Sequence, residues 1–328
     1  MIEVITQNPM FQDPIIQTVF LIIGFVLLIK GADVFVDGAS NIAYNFKIPA
    51  VIVGLTIVAF GTSSPEAAVS VSAAMHHNTT MAISNVVGSN TFNILGVIGV
   101  SALLGTLTVD KILIKRDFPF LIISTIGLLL VAITIKKIDT LCGIIFLIII
   151  LTYVYYLVKK AKEDKEAMDD EVIATLTIPK SGIYIIIGLI GIIIGSDLVS
   201  GGASFIAKEF GLTEKLIGLT VLAIGTSLPE LVTSISALKK GENGIVVGNV
   251  LGSSIFNILF ILGITGIAET IVIKPTMIGD IFLMTVVTIV GAWFTYTKNE
   301  VDRKEGLVLV LLYIAYMAFT VVREMGMI

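Results

Sequence analysis

Apolar residues fill this chain in long runs, and short polar segments divide them. A helix that crosses a bilayer takes roughly 20 predominantly apolar residues. On that measure the pattern predicts ten helices, near residues 14–44, 50–76, 81–104, 118–135, 141–159, 181–209, 215–238, 244–267, 277–297 and 304–324. The runs lack the period-2 alternation of an outer-membrane barrel strand. Helices are then the way for these backbones to satisfy their hydrogen bonds in lipid. At about 1.5 Å of rise per residue, the first and sixth predicted helices are too long for a bilayer crossed straight, so they are expected to tilt or protrude. One connection is rich in charge, residues 161–180 (AKEDKEAMDDEVIATLTIPK), and it reads as a solvated linker.

Composition agrees with this picture and narrows it. The 328 residues are 56% apolar and 14% charged, whereas a soluble domain is about 25% charged. A water-soluble globular protein and a disordered chain are both excluded. The net charge of −4 leaves no basic footprint, so no nucleic-acid partner is expected. Cys142 stands alone and cannot form an intramolecular disulfide. Glu3 and Asp13 are the only charged side chains before the first apolar run, so that run lacks the positive region of a cleaved signal peptide.

Lys and Arg fall unevenly on the two sides of the predicted helices. The side of the N-terminus carries six: Lys136, Lys137, Lys208, Lys215, Lys274 and Arg323. The other side carries fourteen, including Lys111, Lys115, Arg116, Lys159, Lys160, Lys239, Lys240 and Arg303. The positive-inside rule puts the richer side in the cytoplasm. The expectation is a multi-pass protein of the cell membrane, with both termini extracellular and the 161–180 linker cytoplasmic.

The sequence also repeats itself. Shifted by 164 positions, residues 31–99 meet 195–263 without a gap and with 29 identities in 69 positions. Ala59-Phe60-Gly61-Thr62-Ser63-Ser64-Pro65-Glu66 meets Ala223-Ile224-Gly225-Thr226-Ser227-Leu228-Pro229-Glu230. Asn85-Val86-Val87-Gly88-Ser89 meets Asn249-Val250-Leu251-Gly252-Ser253, and Phe92-Asn93-Ile94-Leu95 meets Phe256-Asn257-Ile258-Leu259. The shift is half of the 328-residue chain, so each half is a unit of five predicted helices. Five is odd, and the second unit must enter the membrane from the opposite side. The expected architecture is all-α, with ten transmembrane helices in two inverted-topology repeats. The first repeat is 1–160, with its repeated core at about 50–104. The second is 181–328, with its core at about 215–267. In secondary transporters of this build the binding site lies near the midplane, where the repeats meet.

Glu66 and Glu230 sit in the middle of predicted helices. A carboxylate at the bilayer centre costs on the order of 2.5–3.5 kcal/mol by insertion scales, so such residues are read first as functional. The alternative is a buried carboxylate that only hydrogen-bonds neighbouring helices. Ala59, Thr62, Ser63 and Glu66 share one helical face, and Ala223, Thr226, Ser227 and Glu230 repeat it. Pro65 and Pro229 leave the carbonyls of Gly61 and Gly225 without helical donors, so both helices are expected to kink. Asn85, Ser89 and Asn93, with their mates Asn249, Ser253 and Asn257, form a second polar face. Ser89, Asn93, Ser253 and Asn257 read as cavity lining; Asn85 and Asn249 read equally well as glue between helices. Gly88 and Gly252 are expected to allow close backbone approach. The ligand types are all hard oxygens, with no His or Cys. Two carboxylates among neutral oxygens suit Ca²⁺, which takes about 6–8 oxygens. Na⁺ fits the same set, while Zn²⁺ and Cu²⁺ prefer N and S donors.

These two blocks resemble the α-repeats of the sodium/calcium exchanger family, in its prokaryotic form, within the Ca²⁺/cation antiporter superfamily. The resemblance implies that Glu66 and Glu230 bind Ca²⁺ and share Na⁺. It implies carbonyl ligands from Ala59, Thr62, Ala223 and Thr226. It further implies that Ser63, Ser89, Asn93, Ser227 and Ser253 line the ion sites, and that the first and sixth helices slide to alternate access. Asn257 stands where some members of the family carry Asp, so any third carboxylate is absent here. The expected function is Na⁺/Ca²⁺ antiport, with H⁺-driven Ca²⁺ antiport as the alternative, since close carboxylates raise each other's pKa and admit protons. A passive channel would need weaker or multiple sites. No Walker A, GxSxG or HExxH sequence points to an enzyme, and no cofactor is implied. The ten-helix chain is expected to work as a monomer. Asp33 and Asp197 form a further pair of acids, read either as cation attractors at the two mouths or as local hydrogen-bond acceptors.

Overall fold

A computed structural model describes residues 13–163, 174–211 and 223–324. Among these residues eight helices are long and apolar enough to cross a membrane, or nine when a bent pair counts as one. They are α1 (Pro14–Phe46), the bent pair α2 (Ala50–Thr62) and α3 (Ser64–Met75), α4 (Thr79–Leu104), α5 (Leu113–Thr134) and α6 (Thr140–Glu163). After the linker come α7 (Ile178–Glu209), the short α8 (Ala223–Thr226), α9 (Leu228–Lys239), α10 (Asn243–Ala268), α11 (Pro275–Lys298) and α12 (Arg303–Glu324). The protein is thus an all-helical, multi-pass membrane protein. The helix expected near 215–238 begins outside the described residues.

The kink expected at Pro65 is present: the run 50–76 breaks at Ser63 and bends by 45°. One helix start needs correction. The helix expected from 118 begins at Leu113, because a π-turn over Leu113–Asp117 carries the chain past Pro119, which has no N–H to donate. The connections also hold two short antiparallel ladders. Strand β1 (Leu107–Thr108) pairs with β4 (Glu300–Val301), and β2 (Lys137–Ile138) with β3 (Ile271–Val272). Each ladder joins one half of the sequence to the other. Leu107, Ile138, Ile271 and Val301 are wholly buried there.

The molecule is arranged for lipid. Large apolar side chains such as Ile123, Leu130, Ile148, Ile186 and Leu311 face outward. The centre holds α4 and α10, whose apolar windows are 83% and 89% buried, against 11% for α12. Polar residues collect inside.

Helices α1 and α7 make the largest helix contact in the structure and run antiparallel. Glycines make that contact close: Gly24, Gly31 and Gly38 of α1 face the region of Gly195, Gly188 and Ser181 of α7. A Cβ on Gly188 would lie 2.5 Å from the Phe35 nitrogen, and one on Gly195 2.5 Å from the Leu28 nitrogen. Small residues let helix backbones approach in lipid, where dispersion replaces the hydrophobic effect as the driving force. The pair covers the broken helices. Gly61 packs against the Phe35 ring, and Gly225 against Ser200.

Gly188→Ala and Gly195→Ala should therefore force the α1–α7 backbones apart and cost about 1–3 kcal/mol each. Gly127→Ala, where an added Cβ meets no described atom within 4 Å, should be neutral or slightly stabilising. Thermal unfolding of the detergent-solubilised protein checks both: equal midpoints for the three variants would refute the close-packed seam.

Candidate ion-binding site

The two breaks set the site. Pro65 cannot donate to Gly61, nor Pro229 to Gly225, and the helices part at Ser63 and Ser227. Both serines have φ near −90° and ψ near zero (−83°, 7° and −97°, 6°), a turn conformation rather than a helical one. The freed carbonyls differ in their partners. Ser196 of α7 donates to the Gly225 oxygen at 2.9 Å. Ala32 stands at the matching place on α1 and has no hydroxyl to offer Gly61.

Each break brings its serine to the other half's carboxylate. Ser63 Oγ donates to Glu230 Oε1 at 2.9 Å, and Ser227 Oγ donates to Glu66 Oε1 at 3.0 Å. The two bonds are mates under the 164-residue shift. Glu66, Glu230, Ser63 and Ser227 are all 0% exposed. The second oxygen of each carboxylate, Oε2, is buried with no hydrogen-bond partner.

The neighbouring groups repeat this mating. Asn85 Nδ2 donates to Ser70 Oγ at 3.0 Å and lies 3.4 Å from the Glu66 carbonyl; Asn249 Nδ2 does the same with Ser234 at 3.2 Å and the Glu230 carbonyl at 3.4 Å. Thr62 donates to Asn249 Oδ1 at 3.0 Å, and Thr226 to Asn85 Oδ1 at 3.4 Å. Asn85 and Asn249 are therefore glue, and they also bridge the halves. Ser89 Oγ lies 2.9 Å from Ser227 Oγ, and Ser253 Oγ 3.3 Å from Thr62 Oγ1. The Ala59 carbonyl accepts from the Ser63 N–H at 3.0 Å and from Ser253 Oγ at 3.4 Å. Ala223 opens α8, at the edge of the described residues.

Asn93 and Asn257 lie in π-helical stretches, Phe92–Val97 and Asn257–Ile261. Such stretches often mark functional sites. Both side chains are 0% exposed. Neither amide atom of Asn93 has a partner, and Asn257 Oδ1 has none. Buried polar atoms are nearly always bonded, so each exception asks for an explanation, an ion among them. Among the candidate site residues four oxygens are unpartnered: Oε2 of Glu66 and Glu230, and Oδ1 of Asn93 and Asn257. Among the described residues no three His, Cys, Asp or Glu come together as a metal cluster. Any cation held here would be held by two carboxylates and neutral oxygens.

Other expectations resolve differently. Gly252 does allow close approach: a Cβ there would lie 2.7 Å from the Leu55 carbonyl oxygen. The mates of that contact for Gly88 fall among residues 215–223, largely outside the described residues. Asp33 is engaged locally, accepting from Ser236 Oγ at 2.6 Å, while Lys240 Nζ bonds the Asp33 carbonyl and Asp37 Oδ1, each at 2.6 Å. Sequence reasoning passed over Asn90, 1% exposed, which accepts from Asn257 Nδ2 at 3.0 Å. A comparison of repeats favours identities, and position 90 meets Ser254. The available signal was a polar residue that breaks the repeat inside a predicted membrane helix.

The sequence model of the family described as sodium/calcium exchanger protein matches residues 16–159 and 180–322. A protein of Alkalimonas amylolytica named putative antiporter CaxA is 39% identical over 92% of this chain and 98% of its own length. The sodium/calcium exchanger MaX1 of Methanosarcina acetivorans is 29% identical over 92% of this chain and 97% of its own. The solved structure of the sodium-calcium exchanger NCX_Mj, soaked with 2.5 mM Na⁺ and 0.1 mM Ca²⁺, matches with a TM-score of 0.81 and 30% identity, over 93% of this chain and 98% of that one.

The hydrogen bonds around the two asparagines make a stability prediction. Asn249 is wholly buried and accepts at 3.0 Å, whereas Asn85 is half-buried and accepts at 3.4 Å. Asn249→Ala should cost about 1–3 kcal/mol, as expected when buried groups lose partners. Asn85→Ala should cost less. Thermal midpoints in detergent decide it, and the reverse order would count against the bridging role.

Proposed function

The chain belongs to the sodium/calcium exchanger family, of prokaryotic type, and is a membrane antiporter of Ca²⁺ and other cations; on that premise we propose that it exchanges Na⁺ for Ca²⁺ at the Glu66–Glu230 site. The observation that carries this reading is the crossed pair of buried carboxylates, each with one oxygen held by a serine of the other half and one left free. Two negative charges neutralise one Ca²⁺. The free oxygens of Asn93 and Asn257 add neutral ligands, and the carbonyls of Ala59, Thr62, Ala223 and Thr226 and the hydroxyls of Ser63, Ser89, Ser227 and Ser253 surround them. Na⁺ would compete for the same oxygens, so each ion empties the site of the other.

The proposed architecture is ten transmembrane helices in two inverted repeats, 1–160 and 181–328, joined by a cytoplasmic linker at 161–180 with both termini outside. The antiparallel packing of α1 on its sequence mate α7 supports it, as do hydrogen bonds that recur at a shift of 164. Movement of the glycine-seamed α1–α7 pair over the broken helices would open the site to one side at a time. The chain would act as a monomer.

The test uses purified protein in Na⁺-loaded liposomes, diluted into Na⁺-free buffer with radioactive Ca²⁺, at equal pH with a proton ionophore. Uptake should require the Na⁺ gradient. Uptake driven only by an imposed pH gradient would overturn Na⁺ coupling and assign the carboxylates to Ca²⁺/H⁺ exchange. Glu66→Gln and Glu230→Gln should each reduce Ca²⁺ uptake a hundredfold or more, since breaking a buried charge balance costs about 3–5 kcal/mol. Wild-type uptake in both variants would remove the site assignment.

A further inference from the structure

Asn257 carries an amide, and the two ends of an amide are opposites: the oxygen accepts, while the nitrogen only donates. Turned toward a cation, the oxygen is a ligand and the NH₂ group is repelled. The terminal torsion of Asn is broad and weakly two-fold, so something outside the side chain must choose the end presented.

Asn90 of α4 supplies that choice. Its Oδ1 accepts from Asn257 Nδ2 at 3.0 Å, and its own Nδ2 donates to the Ser254 carbonyl at 3.0 Å. The Ser254 carbonyl can only accept, so Asn90 must turn its nitrogen there and its oxygen to Asn257. Asn257 must then turn its nitrogen to Asn90, which leaves its Oδ1 buried with no protein partner. The polarity runs one way, from a fixed backbone carbonyl to a free side-chain oxygen. The other half has no such chain. Ser254 stands where Asn90 would be repeated, its hydroxyl is spent on the Val250 carbonyl at 2.8 Å, and Asn93 has neither amide atom bonded.

We propose that Asn90 is a positioning residue that locks the Asn257 amide with its oxygen toward the ion, so that Asn257 is a preset ligand whereas Asn93 must be turned by the ion itself. This rests on the reading of the buried pocket as the ion site.

A carboxylate presents an oxygen whichever way it turns, and that makes the inference testable. Asn90→Ser is chosen because the repeat accommodates Ser at the matching position, with Asn90→Ala as the second variant. Each is made in the native chain and in an Asn257→Asp background. Ca²⁺ binding is read as the concentration that half-saturates uptake and, independently of turnover, as the Ca²⁺-induced rise in thermal midpoint. In the native chain, losing the lock should weaken Ca²⁺ binding about tenfold, the scale of one hydrogen-bonded ligand, with maximal rate little changed. In the Asn257→Asp background it should change binding less than about twofold, because orientation no longer matters. Equal weakening in both backgrounds, or none in either, overturns the proposal. Glu66→Gln separates this from failure of the underlying reading. If that variant keeps native Ca²⁺ binding, the ion site lies elsewhere and the role of Asn90 falls with it; if it loses Ca²⁺ binding while Asn90→Ser does not, the site stands and only the positioning role fails.

Discussion

A carboxylate at membrane depth must have hydrogen-bond donors and a counter-charge, and here two carboxylates share that constraint. Neither half can satisfy its own. Glu66 takes its hydroxyl donor from Ser227, and Glu230 takes its donor from Ser63. That crossing requires each serine to leave its helix axis, which requires the breaks, which require Pro65 and Pro229 to withhold a backbone donor. The breaks then need cover, because freed carbonyls in lipid are costly. The α1–α7 pair provides it, and reaches the breaks closely only because Gly61 and Gly225 add no side chain there. Carboxylate, serine, proline and glycine form one chain of dependence, written twice in the sequence.

The two copies are not equivalent. The Gly225 carbonyl has a hydroxyl partner in Ser196, whereas Ala32, which matches Ser196 in the other half, has no hydroxyl. Lys240 ties the end of α9 to Asp33 and Asp37 of α1, and Tyr44 of α1 donates to Glu242. The matching positions on the other side are His76, Asp197, Gly201, Lys208 and Asn78, a different set of chemistries. Sequence identity holds at Ser63, Glu66, Ser89 and Asn93 and their mates, whereas these outer contacts diverge.

Much of this is legible in the sequence. Membrane-length apolar runs gave the helices, because lipid forces the backbone to bond within itself. The shift of 164 gave the paired carboxylates and hydroxyls. Pro65 announced the kink in the run 50–76, but periodicity could not place the break at Ser63, since the turn there leaves the apolar pattern intact. The apolar pattern placed the start of α5 at 118, because a π-turn leaves no mark on hydropathy. The glycine seam was present as Gly24, Gly31 and Gly38, spaced by seven, but only the facing helix shows that the spacing makes a contact. Asn90 was hidden by the very method that found its neighbours.

In the proposed function, coupling between ions would follow from charge as much as from geometry. In the proposed exchange, a site with two carboxylates and no cation holds two uncompensated charges in a region where each costs several kcal/mol. A helix pair that closed over the empty site would have to bury both. Closing over Ca²⁺ buries a neutral set, and closing over Na⁺ neutralises it when enough ions enter. On that reading the empty carrier, unless protonated, would be kept from crossing, and net transport of either ion would depend on the return of the other. On the same reading Asn257 would contribute an oxygen and no charge. A third carboxylate would leave the Ca²⁺-loaded site negative, whereas an amide held oxygen-first keeps the ligand count and leaves the loaded site neutral.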